Sequence, residues 1–276
     1  MRRSARPLLL TAVLLASAAP ATAQSLAERV AGVQRGTIRF SYPTPPDVCG
    51  DGESIIRFRE PGADGTRDIA IMRHRGSSQR YQGLSEAEAR ARCRFGPAHV
   101  TVTLAEGRAE RVAVRVGEPA PGPATDLGAV PAGQAVAWLL GPAARQVTER
   151  GGEAVFAATL ADADWAPAMI ALATDRDVRT STRRDAIFWV SQAAGEKAAR
   201  GLRSILGDDS EEIELRKHAV FALSQQGTDD AVTTLLELAR NSPEPELRKA
   251  AFFWLGQRDE DPRVMALFRS ILLEES

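Results

Sequence analysis

One segment recurs three times along the C-terminal half of the chain. The copies are Arg183-Arg184-Asp185-Ala186-Ile187-Phe188-Trp189-Val190-Ser191-Gln192, Arg216-Lys217-His218-Ala219-Val220-Phe221-Ala222-Leu223-Ser224-Gln225 and Arg248-Lys249-Ala250-Ala251-Phe252-Phe253-Trp254-Leu255-Gly256-Gln257. A fixed period of 32–33 residues is the mark of a stacked array, in which each unit repeats one supersecondary structure. Each copy has apolar residues at helical spacing, followed by a Gly or Asp turn and a second apolar-striped segment. Leu202, Leu235 and Leu267 keep equal offsets in those second segments. A lone helix pair cannot bury both apolar faces, whereas stacked neighbours can, so the pattern predicts an α-solenoid. The units are expected at about 177–209, 210–242 and 243–276. Residues 132–176 hold helical segments that match the repeat poorly, as a helical cap or degenerate first repeat would. The last helix, from Pro262 to about Leu273, ends in polar Glu274-Glu275-Ser276.

The period is different before Gly117. Thr37 to Tyr42 alternates, and Ser54 to Arg59 and Asp68 to Met72 are further short strand candidates. Val100, Val102 and Leu104 alternate with threonines, Glu106-Gly107 supplies a turn, and Val112, Val114 and Val116 alternate again. That is a β-hairpin with one buried face. Ser85 and Glu88 have capping-box spacing ahead of an Ala-, Glu- and Arg-rich stretch, which predicts a short helix. Residues 24–117 therefore read as a small, mainly β domain. Residues 118–131 contain Pro119, Pro121, Pro123 and Pro131, and are expected to be an extended linker outside any sheet ladder.

Residues 1–23 read as a secretory signal peptide. Arg2, Arg3 and Arg6 precede an uncharged apolar stretch, and Ala21-Thr22-Ala23 gives a small-x-small cleavage pattern with Gln24 first in the mature chain. The apolar run is too short for a membrane anchor, which needs about 20 residues. The protein is thus expected to be exported, periplasmic or extracellular, with no integral membrane segment once the signal is removed. Export favours pairing Cys49 with Cys93, the only cysteines; free buried thiols are the alternative, and the absence of Cys-x-x-Cys argues against a redox pair. The composition, 44% hydrophobic and 26% charged with a net charge of -1, is that of a globular protein. It lacks the basic excess of a nucleic-acid binder.

Leu215-Arg216-x-x-Ala219-x-x-x-Leu223 and Leu247-Arg248-x-x-Ala251-x-x-x-Leu255 resemble HEAT repeats of the short bacterial, PBS-lyase-like type. In the first copy Thr182 and Val190 stand at the two leucine positions. The layout is similar to secreted HEAT-repeat proteins that carry a two-cysteine β module. The resemblance implies an α+β multidomain chain, a small mainly-β N-terminal domain followed by an α-solenoid of HEAT-like helix pairs. It implies a protein-binding scaffold more than an enzyme. HEAT-type deoxyhypusine hydroxylases hold iron with His-Glu dipeptides, whereas His74, His99 and His218 precede Arg75, Val100 and Ala219 here. Bilin lyases share the repeat, but an exported chain has no obvious chromophore partner.

No metalloprotease, nucleophile-elbow, P-loop or dinucleotide motif occurs. Asp162, Asp164, Asp175 and Asp177 are read as helix-capping groups. Three ladders are candidates for recognition. Phe188, Phe221 and Phe253 with Gln192, Gln225 and Gln257 could anchor a peptide, although stacking alone accounts for them as core rings and inter-repeat hydrogen bonds. Arg184, Lys217 and Lys249, with Arg183, Arg216 and Arg248 beside them, could face an acidic partner. Pairing with Asp185, Glu214, Glu244 and Glu246 on a solvated face is the plainer reading. Arg73 to Tyr81 is a basic loop that could meet an anion, or simply be solvated. The expected function is a non-enzymatic exported scaffold that binds an unknown protein or peptide on its concave face, with no cofactor, metal or nucleic acid. The alternative is an envelope enzyme or accessory subunit with a site at the junction of the β domain and the solenoid.

Overall fold

The computed structural model describes residues 24–58, 69–74, 84–147, 151–193, 196–226, 228–258 and 260–274. The proposed signal peptide and most of the basic loop, Arg75 to Tyr81, lie outside them. The N-terminal half contains α1 (Leu26–Ala31), β1 (Gly36–Tyr42), β2 (Val48–Gly50), β3 (Ser54–Phe58), β4 (Ile69–His74), α2 (Glu86–Ala91), β5 (Arg94–Phe95), β6 (Ala98–Ala105), β7 (Arg108–Val116) and β8 (Thr125–Ala129). They form two four-stranded sheets, one ordered β7-β6-β1-β8 and the other β4-β3-β2-β5.

The hairpin predicted from period two is β6–β7. Val100, Val102, Leu104, Val112, Val114 and Val116 are all buried, and the register pairs Val100 with Val114 and Val102 with Val112. Its turn residues Glu106 and Gly107 both have positive φ, the two-residue geometry that matches strand twist. Ser85 caps α2 in a reciprocal box with Glu88, as their spacing predicts.

The extended linker is corrected in part. Thr125–Ala129 forms β8 and pairs in parallel with β1. The stretch between Pro123 and Pro131 has no proline, so its backbone can enter the ladder at the edge, where only one side must pair. That edge is partly covered: Arg29 Nη1 donates to the Leu127 carbonyl, and Asp126 Oδ1 accepts from Gly128 N–H.

The second half is helical: α3 (Ala132–Trp138), a π-turn (Leu139–Ala143) enclosing Pro142, α4 (Ala144–Gln146), α5 (Gly151–Thr159), α6 (Ala166–Thr174), α7 (Thr180–Gln192), α8 (Glu196–Leu206), α9 (Ile213–Gln225), α10 (Asp229–Asn241), α11 (Pro245–Leu255) and α12 (Pro262–Glu274). Leu202, Leu235 and Leu267 are buried in α8, α10 and α12. The phase of the repeats differs from the boundaries drawn on the sequence. The most closely packed neighbours are α6 with α7, α8 with α9 and α10 with α11. The hairpins therefore straddle the expected starts at 177, 210 and 243. A periodic sequence gives the length of the unit but not which helix opens it.

One hydrophobic core runs from the β7-β6-β1-β8 sheet into the array. Phe40 meets Trp138 edge-on at 5.7 Å, and the buried Tyr42 hydroxyl donates to the Ala157 carbonyl in α5. The second sheet has a small core of its own, made of Cys49, Ile56, Phe58, Ala89 and Cys93. Cys49 and Cys93 are joined by a disulfide across 5.7 Å between Cα atoms.

Candidate binding groove

α7 packs on α9, and α9 on α11, more closely than α8 packs on α10. α7, α9 and α11 form one continuous layer of the array. On it lies a groove of about 640 Å³ crossing all three helices. Arg184, Phe188, Lys217, Phe221, Lys249 and Phe253 line it, one cation and one phenylalanine from each helix. Asp185, Ile187, Glu214, His218, Glu246, Ala250 and Trp254 complete the lining.

The phenylalanines are not core rings. Phe188 is 44% exposed and Phe253 60%, while Phe221 is half-buried. The helix phase explains this: Ala186, Ile187 and Val190 turn inward on α7, which leaves position 188 on the opposite side. Each exposed ring leans on a tryptophan. Phe188 meets Trp189 at 5.2 Å, and Trp254 stands between Phe221 and Phe253 with both ring centroids 4.9 Å away.

The glutamines do not bridge repeats. Gln192 and Gln225 are exposed and donate to their own neighbours, Ser191 Oγ and Ser224 Oγ, at 3.1 and 3.2 Å. Gln257 is exposed too, and Gly256 precedes it where the others have serine.

The basic doublets divide into two jobs. The first residue of each faces back to the preceding helix. Arg183 Nε donates to the Ala173 carbonyl at 2.8 Å, Arg216 Nη2 to Leu206 at 2.8 Å and Arg248 Nη1 to Ser242 at 2.7 Å. These carbonyls close α6 and α8 and follow α10, the places where a helix leaves acceptors unpaired. Arg183 also grips Glu211 with two guanidinium nitrogens, and both side chains are buried. Burial pushes the Glu211 carboxyl up, but the hydrogen bonds and charge of Arg183 outweigh it and hold the group below its ordinary value.

The second residue of each doublet points into the groove. Lys217 pairs with Glu214 and Lys249 with Glu246, each at 3.0 Å and three residues apart. The hydrogen bond from Lys249 and its charge lower the Glu246 carboxyl. The position three before Arg184 is Ser181, and Arg184 makes no ion pair among the described residues. Asp185 is raised by burial, against the charge of Arg184, and its carboxylate lies where a Cβ on Gly152 of α5 would come within 2.3 Å. Burial, then the nearby Arg184, lower the pKa of His218 from its ordinary value.

A family model for HEAT repeats matches residues 200–276. The match begins within α8 and runs through α12, so it spans the second and third hairpins. A mainly-β region followed by a run of consecutive helices, consistent with an α-solenoid of HEAT repeats, is thus the architecture of the chain. No curated protein and no solved structure matches it.

The junction between sheet and array is filled. Phe40, Tyr42, Trp138 and Ala157 occupy it, all buried. A cavity of about 410 Å³ beside it is lined by Ser41 to Pro46, Val48, Phe95 to Pro97 and Ala129, with no acid or histidine in its wall. Asp175 accepts from the Asp177 backbone N–H and from Arg145, and these bonds lower its carboxyl. At Asp175 this is a turn and not the expected N-terminal helix cap: the N-caps of α6 and α7 are Trp165 and Arg179, neither with a side-chain cap bond. Among the described residues, no group of three His, Cys, Asp or Glu side chains is placed to hold a metal, and no helix is long and apolar enough to cross a membrane.

Of the groove-lining residues, sequence reasoning reached the Phe and cation ladders. It missed Ile187, Glu214, His218, Glu246 and Trp254 as one surface. The available signal was the helical spacing: positions 214, 217, 218 and 221 recur every three or four residues and share one face.

Proposed function

We propose that this protein is an exported, non-catalytic scaffold of the cell envelope that holds a segment of another protein across α7, α9 and α11. HEAT repeats commonly serve as protein-binding scaffolds. The observation that carries the reading is the row of groove-lining phenylalanines, one per hairpin and exposed at Phe188 and Phe253, beside a row of cations. Exposed aromatics set in line on rigid helices are costly to leave bare in water, and aromatic anchors with Arg are what binding hot spots are made of. The leader-like first 23 residues and the Cys49–Cys93 disulfide support export.

The test is site-specific photocrosslinking in the native host, with the probe at position 221 or, as control, at exposed position 237 on α10. A defined partner crosslinked from 221 and not from 237 is the expected result. Reversing charge at Arg184, Lys217 and Lys249 together should abolish that crosslink. Equal crosslinking from both sites, or no effect of the reversals, would remove the groove from the function. Cell fractionation and the mass of the mature chain, beginning at Gln24, test export separately.

A further inference from the structure

We propose that the groove takes an extended, proline-rich acidic segment in the polyproline II conformation. Its apolar side chains would recur at every third position, each followed by a carboxylate. The inference rests on the groove reading above and names the chemistry of its occupant.

The argument starts from two rails. Phe188, Phe221 and Phe253 form one. Arg184, Lys217 and Lys249 form the other, four residues earlier on each helix and so one turn, about 5–6 Å, along the helix axes. Helices packed side by side stand roughly 8–10 Å apart, which sets the distance between rungs. A ligand crossing the helices must present equivalent side chains at that interval.

A polyproline II segment does so. It has three residues per turn and rises about 3.1 Å per residue, so positions i and i+3 share a face about 9.3 Å apart. A β-strand does not, because same-face residues recur every second position, about 6.6 Å apart. An α-helix returns to one face after seven residues and about 10.5 Å. That repeat overshoots the roughly 8–10 Å between rungs, whereas about 9.3 Å falls within it. Proline rings suit the aromatic rail, as in other aromatic-lined grooves that accept preformed polyproline II.

The cation rail, balanced within the groove by Asp185, Glu214 and Glu246, fixes the second position of the triplet. With the first residue on a phenylalanine, the next turns toward the cation rail and the third toward solvent. Lys217 and Lys249 would exchange an exposed intrahelical glutamate for a ligand carboxylate, a nearly neutral trade. Arg184 has no glutamate to give up, since Ser181 stands in that place. The α7 end is therefore the strongest acid-binding rung.

The experiment uses the full mature chain and a fluorescein-labelled peptide of four Pro-Glu-Ser copies, read by fluorescence anisotropy at low salt. Comparison peptides replace Glu by Lys, or form an acidic amphipathic helix with Leu at every seventh position. The expected result is binding of the Pro-Glu-Ser peptide at least tenfold tighter than of either comparison, weakening as salt rises. Arg184→Glu should weaken it about tenfold or more, and Lys217→Glu less. Phe253→Ala, at an exposed position that leaves the fold intact by circular dichroism, should weaken it about fivefold. Preference for the helical or lysine peptide overturns the proposal, as does equal loss from Arg184→Glu and Lys217→Glu. If no Pro-Glu-Ser binding occurs while a partner still crosslinks from position 221, the polyproline inference fails and the groove reading stands. If the crosslink is also absent, both fail.

Discussion

The two sheets of the N-terminal half are built on different terms. The β7-β6-β1-β8 sheet buries its inner face in a core that continues through α3 and α5 into the helical array. The β4-β3-β2-β5 sheet gives Val48 and Ile55 to that core, while Cys49, Ile56 and Phe58 face α2 in a separate cluster that holds five buried residues among those described. Gly50 lets it approach closely: a Cβ there would lie 2.6 Å from the Val116 carbonyl oxygen of β7. One sheet is stable because it is the end wall of a large body. The other has a smaller core of its own among the described residues and a covalent staple beside it, the usual remedy of a small module. The useful boundary in this molecule thus runs between the sheets, and not between the β region and the solenoid.

The largest test of that boundary is Phe40→Ala. Phe40 is fully buried and packs on both Tyr42 and Trp138. Removing the ring should cost about 5 kcal/mol, the upper end for an enclosed phenylalanine. If sheet and array are one cooperative body, thermal unfolding remains a single, lower transition, and amide exchange accelerates in β6 and α9 together. Exchange that accelerates in β6 alone would mean separate domains.

Most of these elements were legible before the fold was known, and the failures have physical causes. The β6–β7 hairpin, the capped α2 and the three-fold repeat each follow from local spacing. β8 was missed because its proline-bearing flanks dominate the composition, although Leu127 and its neighbours needed only one open ladder side to pair. The hairpin phase is open in the sequence because a repeat fixes the length of the unit and not which of its two helices comes first. The direction of Phe188 and Phe253 was open to the repeat argument, which accounts for identical residues equally well by stacking or by recognition. Only their angular position relative to buried Ala186 and Ala251 decides it. Arg183 and Arg184 are adjacent in sequence and about 100° apart on the helix, so one doublet contains a buried brace and a groove cation.

The next test sharpens the contrast from the stapled side. Replacing Cys49 and Cys93 by serine opens a loop with a sequence separation of 44 residues. On the chain-entropy account this costs about 4 kcal/mol. The loss should be confined: hydrogen exchange accelerates in β2, β3 and α2, while β6 and α9 keep their protection. A matching loss in α9 would place the second sheet inside the same cooperative unit and erase the distinction.

A third test reads the array alone. Glu211→Gln keeps an acceptor for Arg183 but removes the charge, at a cost of about 1.5–3 kcal/mol. Because the folded-state carboxyl is lowered, its stabilisation is fully present above the unfolded value of about 4.3 and is lost as pH falls through the folded value. The parent protein should therefore lose this increment below about pH 4.3, and the Gln variant should have a flatter acid limb in chemical denaturation. An unchanged slope would mean that the buried pair contributes nothing to the pH dependence. The loss at neutral pH should also reach β6 amides, if the array and its end sheet unfold together.

The smallest expected effect comes from the seam itself. Tyr42→Phe removes one buried hydroxyl that donates to the Ala157 carbonyl, and burial already holds that hydroxyl in its neutral form. The ring stays, so packing is kept and only the hydrogen bond is lost, about 1 kcal/mol, while the Ala157 carbonyl still accepts from the Leu160 N–H. Its value lies in where the loss is seen. Tyr42 is the last residue of β1 and Ala157 lies within α5, so a cooperative body shares the deficit equally between β1 and α5 amides in native-state exchange. A hinge between sheet and array would instead keep α5 protection while β1 frays from its end. The Phe40 and Tyr42 variants then disagree, and the large truncation would have reported a general loss of core where the small one locates the joint.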